Sequence, residues 1–156
     1  MKDILLVDGY NMIGAWPELR DLKEKDFELA RDRLIEMMAE YQAFTGFKVY
    51  VIFDAHRVEG IGKTYHNYRV DVIYTKKNET ADERIEKLVH QLKRIDRRIH
   101  VATSDFIEQS LIFGSGALRK SARELLIEIE STEKGIDKEV QKNAKKTTFD
   151  KFANKR

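Results

Sequence analysis

The sequence predicts an α/β fold, a three-layer α/β/α sandwich around a central, mostly parallel sheet. Two observations carry that prediction. Short apolar runs rich in β-branched residues alternate along the chain with stretches of helical periodicity. The runs are also apolar at nearly every position, the pattern of strands buried on both faces. Alternation of this kind implies right-handed βαβ crossovers, with helices covering both sides of the sheet.

The first run is Ile4 to Val7, and Asp8-Gly9-Tyr10-Asn11 breaks it with turn-forming residues. Phe27 to Phe44 follows as a helix, with Leu34, Met37, Met38 and Tyr41 on one face and Gly46 just past its end. Lys48 to Phe53 is the second strand, stopping at Asp54. A polar stretch from His56 to Asn67 reads as a loop, and Val70 to Tyr74 as a third strand. Thr80 to Ile95 is a helix with Ile85, Leu88, Val89 and Leu92 on its apolar side. Ile99 to Thr103 is the fourth strand, ending at Ser104-Asp105. A short helix to about Phe113, Gly114-Ser115-Gly116, and a long helix from Ala117 to about Glu133 complete the pattern.

With 156 residues, this is one domain (1–135) followed by a basic polar tail (136–156). From Lys134 onward eight lysines and arginines face three acids, although the whole chain carries only +2. Such a tail suits either a polyanionic partner or a solvated helix end. The chain has no cysteine, which excludes disulfides and thiolate metal sites and suits a reducing cytoplasm. No apolar stretch approaches the ~20 residues that span a bilayer, and the N-terminus lacks the features of a signal peptide, so no membrane association is expected.

Three of the four strands end in an aspartate: Asp8, Asp54 and Asp105. Open α/β sheets bind ligands beyond the carboxyl ends of their strands, where the strand order reverses. If the first strand neighbours the fourth, Asp8 and Asp105 meet there, with Asp54 one strand away. Carboxylates gathered in this way call for a raised pKa or a hard cation such as magnesium. Each also has a structural account: Asp8 in a turn, Asp54 capping a loop, and Asp105 in a capping box with Glu108. In the following helix Thr80 and Glu83 form a capping box, and Glu83 stands four residues before Lys87 as an ion pair. Asp82 differs, because its spacing to Ile85 and Val89 turns it inward, toward backbone amides or a metal.

Several chemistries are excluded. The position two after Asp8 is Tyr10, so an aspartyl-phosphate Asp-x-Asp is missing. There is no phosphate-cradling Gly-x-x-x-x-Gly-Lys motif, no zinc-ligand spacing among the four histidines, and no nucleophile elbow. Arg119, Lys120 and Arg123 cluster at the expected start of the last helix, where cations oppose the helix dipole unless a phosphate or nearby acids offset them. Arg57 and further cations lie between the second strand and the acidic helix, with Tyr65 and Tyr68 close in sequence.

The segments LLVDGYNMIGAW, VIFDAH, NETADERIE, VATSD and GALRKSARELL, in that order, resemble the bacterial YacP family. Its members are NYN-domain proteins of the PIN-like nuclease superfamily. The resemblance covers residues 1–135 and implies a PIN-like sandwich, a divalent-metal site and endoribonuclease activity. It further implies a role in mRNA decay in association with the ribosome. Asp8, Asp82 and Asp105 match the family's acidic positions and Asn11 its neighbouring polar position; Asp54 and Glu79 are further matches. The expected site has Asp8, Asp82, Asp105 and Asn11 as catalytic residues. Mg²⁺ or Mn²⁺ is expected on the three aspartates with Asp54, partly through water. Asn11 with Thr103 or Ser104 would orient waters or phosphate oxygens, and Arg119, Lys120, Arg123 and Arg57 would hold the RNA backbone. Two alternatives stand beside this: a non-catalytic RNA- or ribosome-binding adaptor with a vestigial acidic pocket, and a metal-dependent phosphatase for small nucleotides.

Overall fold

A computed structural model describes residues 2–55, 69–105, 112 and 114–133. Five parallel strands form its sheet in the order β3-β2-β1-β4-β5. In chain order these are β1 (Lys2–Asp8), β2 (Lys48–Phe53), β3 (Asp71–Tyr74), β4 (Arg97–Ala102) and β5 (Leu118–Lys120). The helices are α1 (Gly9–Ala15), α2 (Pro17–Lys25), α3 (Phe27–Thr45), α4 (Ala81–Leu92) and α5 (122–133).

The continuous apolar runs reflect a core on each side of the sheet. In β1, Leu5 and Val7 face one core, with α1, α2, α3 and α5, while Ile4 and Leu6 face the other, with α4. Val49, Val51 and Phe53 of β2 join the first core, and Ile99 and Val101 of β4 join the second. Helix α4 buries Ala81, Ile85, Leu88 and Val89, a stripe at helical spacing. The expected sandwich is the fold observed.

Helix α3 starts where Asp26 accepts a hydrogen bond from the Glu28 amide (2.9 Å). It ends at Gly46, whose φ of 78° is the left-handed conformation that glycine adopts without a Cβ penalty. Helix α2 is an element beyond those the periodicity predicts, with Pro17 at its first position, Glu18 in its first turn and Lys23 and Lys25 in its last as its start and stop signals.

Two assignments are corrected. Asp8-Gly9-Tyr10-Asn11 is not a turn: β1 runs through Asp8 directly into α1. Gly9 is needed there because a Cβ would lie 2.3 Å from the Phe53 ring, so α1 could not begin against β2 with any larger residue. Nor does a helix begin at Ala117. Leu118–Lys120 is an edge strand paired with His100–Ala102 of β4, and α5 starts only after Ser121, whose hydroxyl accepts from the Glu124 amide (3.0 Å). The loop from His56 to Asn67, the helix ending near Phe113, Glu108 and the basic tail lie outside the described residues. Among those described, no helix is long and apolar enough to cross a membrane.

Candidate active site

Strand order places the site. The chain builds outward from β1 through β2 to β3, then returns to lay β4 on the other side of β1. The switch point therefore lies between β1 and β4, where ligands bind in open α/β sheets. Asp8 closes β1, Asp54 follows β2 and Asp105 stands three residues past β4. Helix α4 brings Thr80, Ala81 and Asp82 to the same edge, and α1 brings Tyr10, Asn11, Gly14 and Ala15. Together these line a cleft of about 540 Å³. All four predicted aspartates and Asn11 face one cavity.

Several hydrogen bonds hold the walls in place. Asn11 Oδ1 accepts from the Ser104 amide (2.7 Å), tying α1 to the end of β4. The hydroxyl of Thr103, fully buried, accepts from the Asp105 amide (3.0 Å), and the Thr103 amide donates to Lys120 O (3.1 Å). The Trp16 indole donates to Ala122 O (2.8 Å), locking α1 to the first turn of α5. Beside Asp54, buried Thr75 accepts from the Ala55 amide (2.9 Å) and donates its own amide to Phe53 O (3.0 Å). Thr75 and Trp16 had no signal in the sequence; their roles exist only once distant segments meet.

The aspartates share the cleft without crowding. Among the described residues, no three carboxylates or imidazoles stand close enough to hold one ion between them. Magnesium is bound through one or two carboxylates, with water and phosphate oxygens completing the octahedron. Four carboxylates and an amide around an open cavity fit that mode, and the all-oxygen donor set suits Mg²⁺ or Mn²⁺ over softer metals. The Asp82 side chain makes no hydrogen bond or ion pair with the described residues, and Thr80, not Asp82, accepts from the Glu83 amide (3.2 Å).

The YacP-like NYN domain matches residues 5–155. The chain belongs to that family. It is 65% identical over 140 residues to protein YacP of Bacillus subtilis (strain 168), covering 90% of this chain and 82% of that protein. The crystal structure of Rae1 (YacP) from Bacillus subtilis superposes with a TM-score of 0.84 at 62% identity, covering 97% of this chain and 87% of the other. A mutant of the same protein gives 0.82 at 62% identity, covering 91% and 83%.

Within this YacP-like domain Glu79 lies apart from the cleft. It is 4% exposed, and Arg84 and Lys87 each reach its carboxylate at 2.8 Å. Hydrogen bonds from these two side chains, more than offsetting its burial, hold the Glu79 carboxyl down at about 2. Lys87 thus pairs with Glu79, not with Glu83 as its spacing suggested. The basic residues also need correction. Arg119 and Lys120 lie on β5, so they do not share a helix face with Arg123. The Lys120 amine binds both carboxylate oxygens of Glu128 (2.6 and 2.8 Å) and sits 5.8 Å from the Phe47 ring centre, which commits it to the interior of the fold. Arg123 is exposed on the first turn of α5, and Arg57 lies outside the described residues.

Proposed function

We propose that this chain is a divalent-metal-dependent endoribonuclease that hydrolyses phosphodiester bonds of RNA, with mRNA on the ribosome as its setting. The observation that carries this is the convergence of Asp8, Asp54, Asp82 and Asp105, from four elements, on one cleft at the topological switch point. Membership of the YacP-like NYN family supports it.

Asp8, Asp82 and Asp105, with Asp54, would hold Mg²⁺ or Mn²⁺, some directly and some through water. Once bound, the metal supplies Lewis-acid polarisation of a phosphoryl oxygen and a more acidic water. The carboxylates themselves form no covalent bond to phosphorus. Asn11 ties the β4 end to α1 through the Ser104 amide, next to Asp105 in the chain. Arg123, exposed on the first turn of α5, would meet RNA phosphates without regard to sequence.

The test is cleavage of single-stranded RNA with Mn²⁺ by wild type and by the Asp8→Asn variant, with and without ribosomes. Loss of cleavage in the variant is expected; unchanged cleavage removes Asp8 from the site. The separation of the carboxylates favours one second reading, a non-catalytic RNA- or ribosome-binding adaptor. Its signature is binding that survives both chelator and Asp82→Asn, with no RNA shortened in any condition.

A further inference from the structure

We propose that Glu79 is a positioning residue: it fixes the attitude of the first turn of α4 and so aims Asp82 into the cleft. This rests on the metal-site reading above and assigns a role to a carboxylate that lines no part of the cavity.

The bonding of Glu79 goes well beyond what starting a helix requires. Thr80 already serves as the N-cap, accepting from the Glu83 amide, while the Arg84 amide donates to Thr80 O at 3.1 Å. Glu79 adds a separate set of restraints. Its Oε1 accepts from the Lys76 amide (3.3 Å) and from Arg84 Nε (2.8 Å), and its Oε2 from Lys87 Nζ (2.8 Å). The Glu79 amide closes the same turn onto Lys76 O (3.0 Å). One buried carboxylate therefore ties the segment after β3 to two successive turns of α4. Those tethers hold the bend before α4 and the first two turns of the helix in one fixed relation.

Asp82 lies between the tether points, and its side chain makes no bond to the described residues. Its direction is inherited from the helix. Groups that orient a metal ligand without touching the metal typically contribute about 10- to 100-fold to metal affinity. Small displacements of a reacting constellation carry similar penalties.

The experiment is a double-mutant cycle on the full chain, read as Mn²⁺ affinity by electron paramagnetic resonance. Glu79→Ala is expected to weaken Mn²⁺ binding by about 10- to 100-fold. On an Asp82→Asn background the same change is expected to add little, because the ligand it aims is already gone. A merely structural role would weaken both backgrounds equally, and full additivity overturns the proposal. Unchanged Mn²⁺ affinity in Glu79→Ala does so too. Glu79→Gln, which keeps an acceptor at Oε1 and loses the charge facing Lys87, guards against misfolding and is expected to fall between wild type and Glu79→Ala.

Amide hydrogen exchange separates this inference from the function it serves. Glu79→Ala is expected to speed exchange of the Ala81–Arg84 amides while leaving α3 unchanged. Absence of that local acceleration overturns the positioning role. If wild type binds no Mn²⁺, the proposed function fails instead, and the exchange result still decides whether Glu79 sets the helix.

Discussion

Two polar regions of this molecule obey opposite rules. Around Phe47, at the start of β2, polar groups are paired within the fold: Lys120 with Glu128, the Tyr41 hydroxyl with Glu128 (2.7 Å), and Asp3 with the His100 ring (3.2 Å). Burial and the Glu128 carboxylate push the Tyr41 phenol up, so it stays a neutral donor. At the carboxyl ends, four carboxylates of one sign face a single open cavity. The first region is complete as folded and contributes rigidity. The second gathers one sign of charge around a space open to solvent and ions. The difference teaches that the candidate site is best recognised by carboxylates of one sign brought from separate elements to one open cavity.

That contrast can be broken most sharply at Asp82. Changing Asp82→Asn is expected to lower Mn²⁺-dependent RNA cleavage by about 100-fold or more, measured as initial rates. Its melting temperature should hold or rise, since a like charge is removed. An equal fall in stability would place Asp82 in the matched class. Gly9→Ala tests how the two regions share the sheet. A Cβ would sit 2.3 Å from Phe53, so overpacking of about 1–3 kcal/mol is expected in urea unfolding, with cleavage falling as Asp8 shifts.

Glu79 gives a third test, because it stands only three residues before Asp82 yet belongs with the matched charges. Its folded pKa is about 2 against 4.5 for the free side chain, so ionisation stabilises the folded state above pH 4.5. That contribution is lost as pH falls from 4.5 toward 2. Its size is about 2 kcal/mol once screening of exposed Lys87 is counted. Comparing wild type with Glu79→Gln in unfolding at pH 6 and pH 2.5 should show the gap closing at low pH. The smallest effect is expected for Glu128→Gln. Weakening the Lys120 pair, whose carboxylate is 41% exposed, should cost about 1 kcal/mol in thermal unfolding and leave cleavage unchanged.

Much of this was legible in the sequence, for identifiable reasons. Strands buried on both faces leave a continuous apolar signature, and their aspartate ends marked the carboxyl edge before any pairing was known. The inward turn of Asp82 followed from helical spacing alone. What escaped was set by partners distant in the chain. Ala117-Leu118-Arg119-Lys120 are strong helix formers, yet pairing with His100–Ala102 makes a three-residue strand of the last three. The local start signal of α5 is Ser121 with Glu124, one residue past that strand. Gly9 looked like a turn residue because nothing local reveals the Phe53 ring above it. Glu79 looked like a site acid because Arg84 and Lys87 reach it only through the bend between β3 and α4.

The position of β1 in the middle of the sheet also has a consequence for biosynthesis. Asn11 meets Ser104 across 93 residues, and Trp16 meets Ala122 across 106. At roughly 5–20 residues per second, a ribosome needs about 5 to 19 seconds to supply the later partner of Asn11. Throughout that interval the nascent chain carries Asp8 without Asp105. The cavity therefore cannot be complete until the chain has been made at least as far as Asp105, because one of its walls does not exist before then.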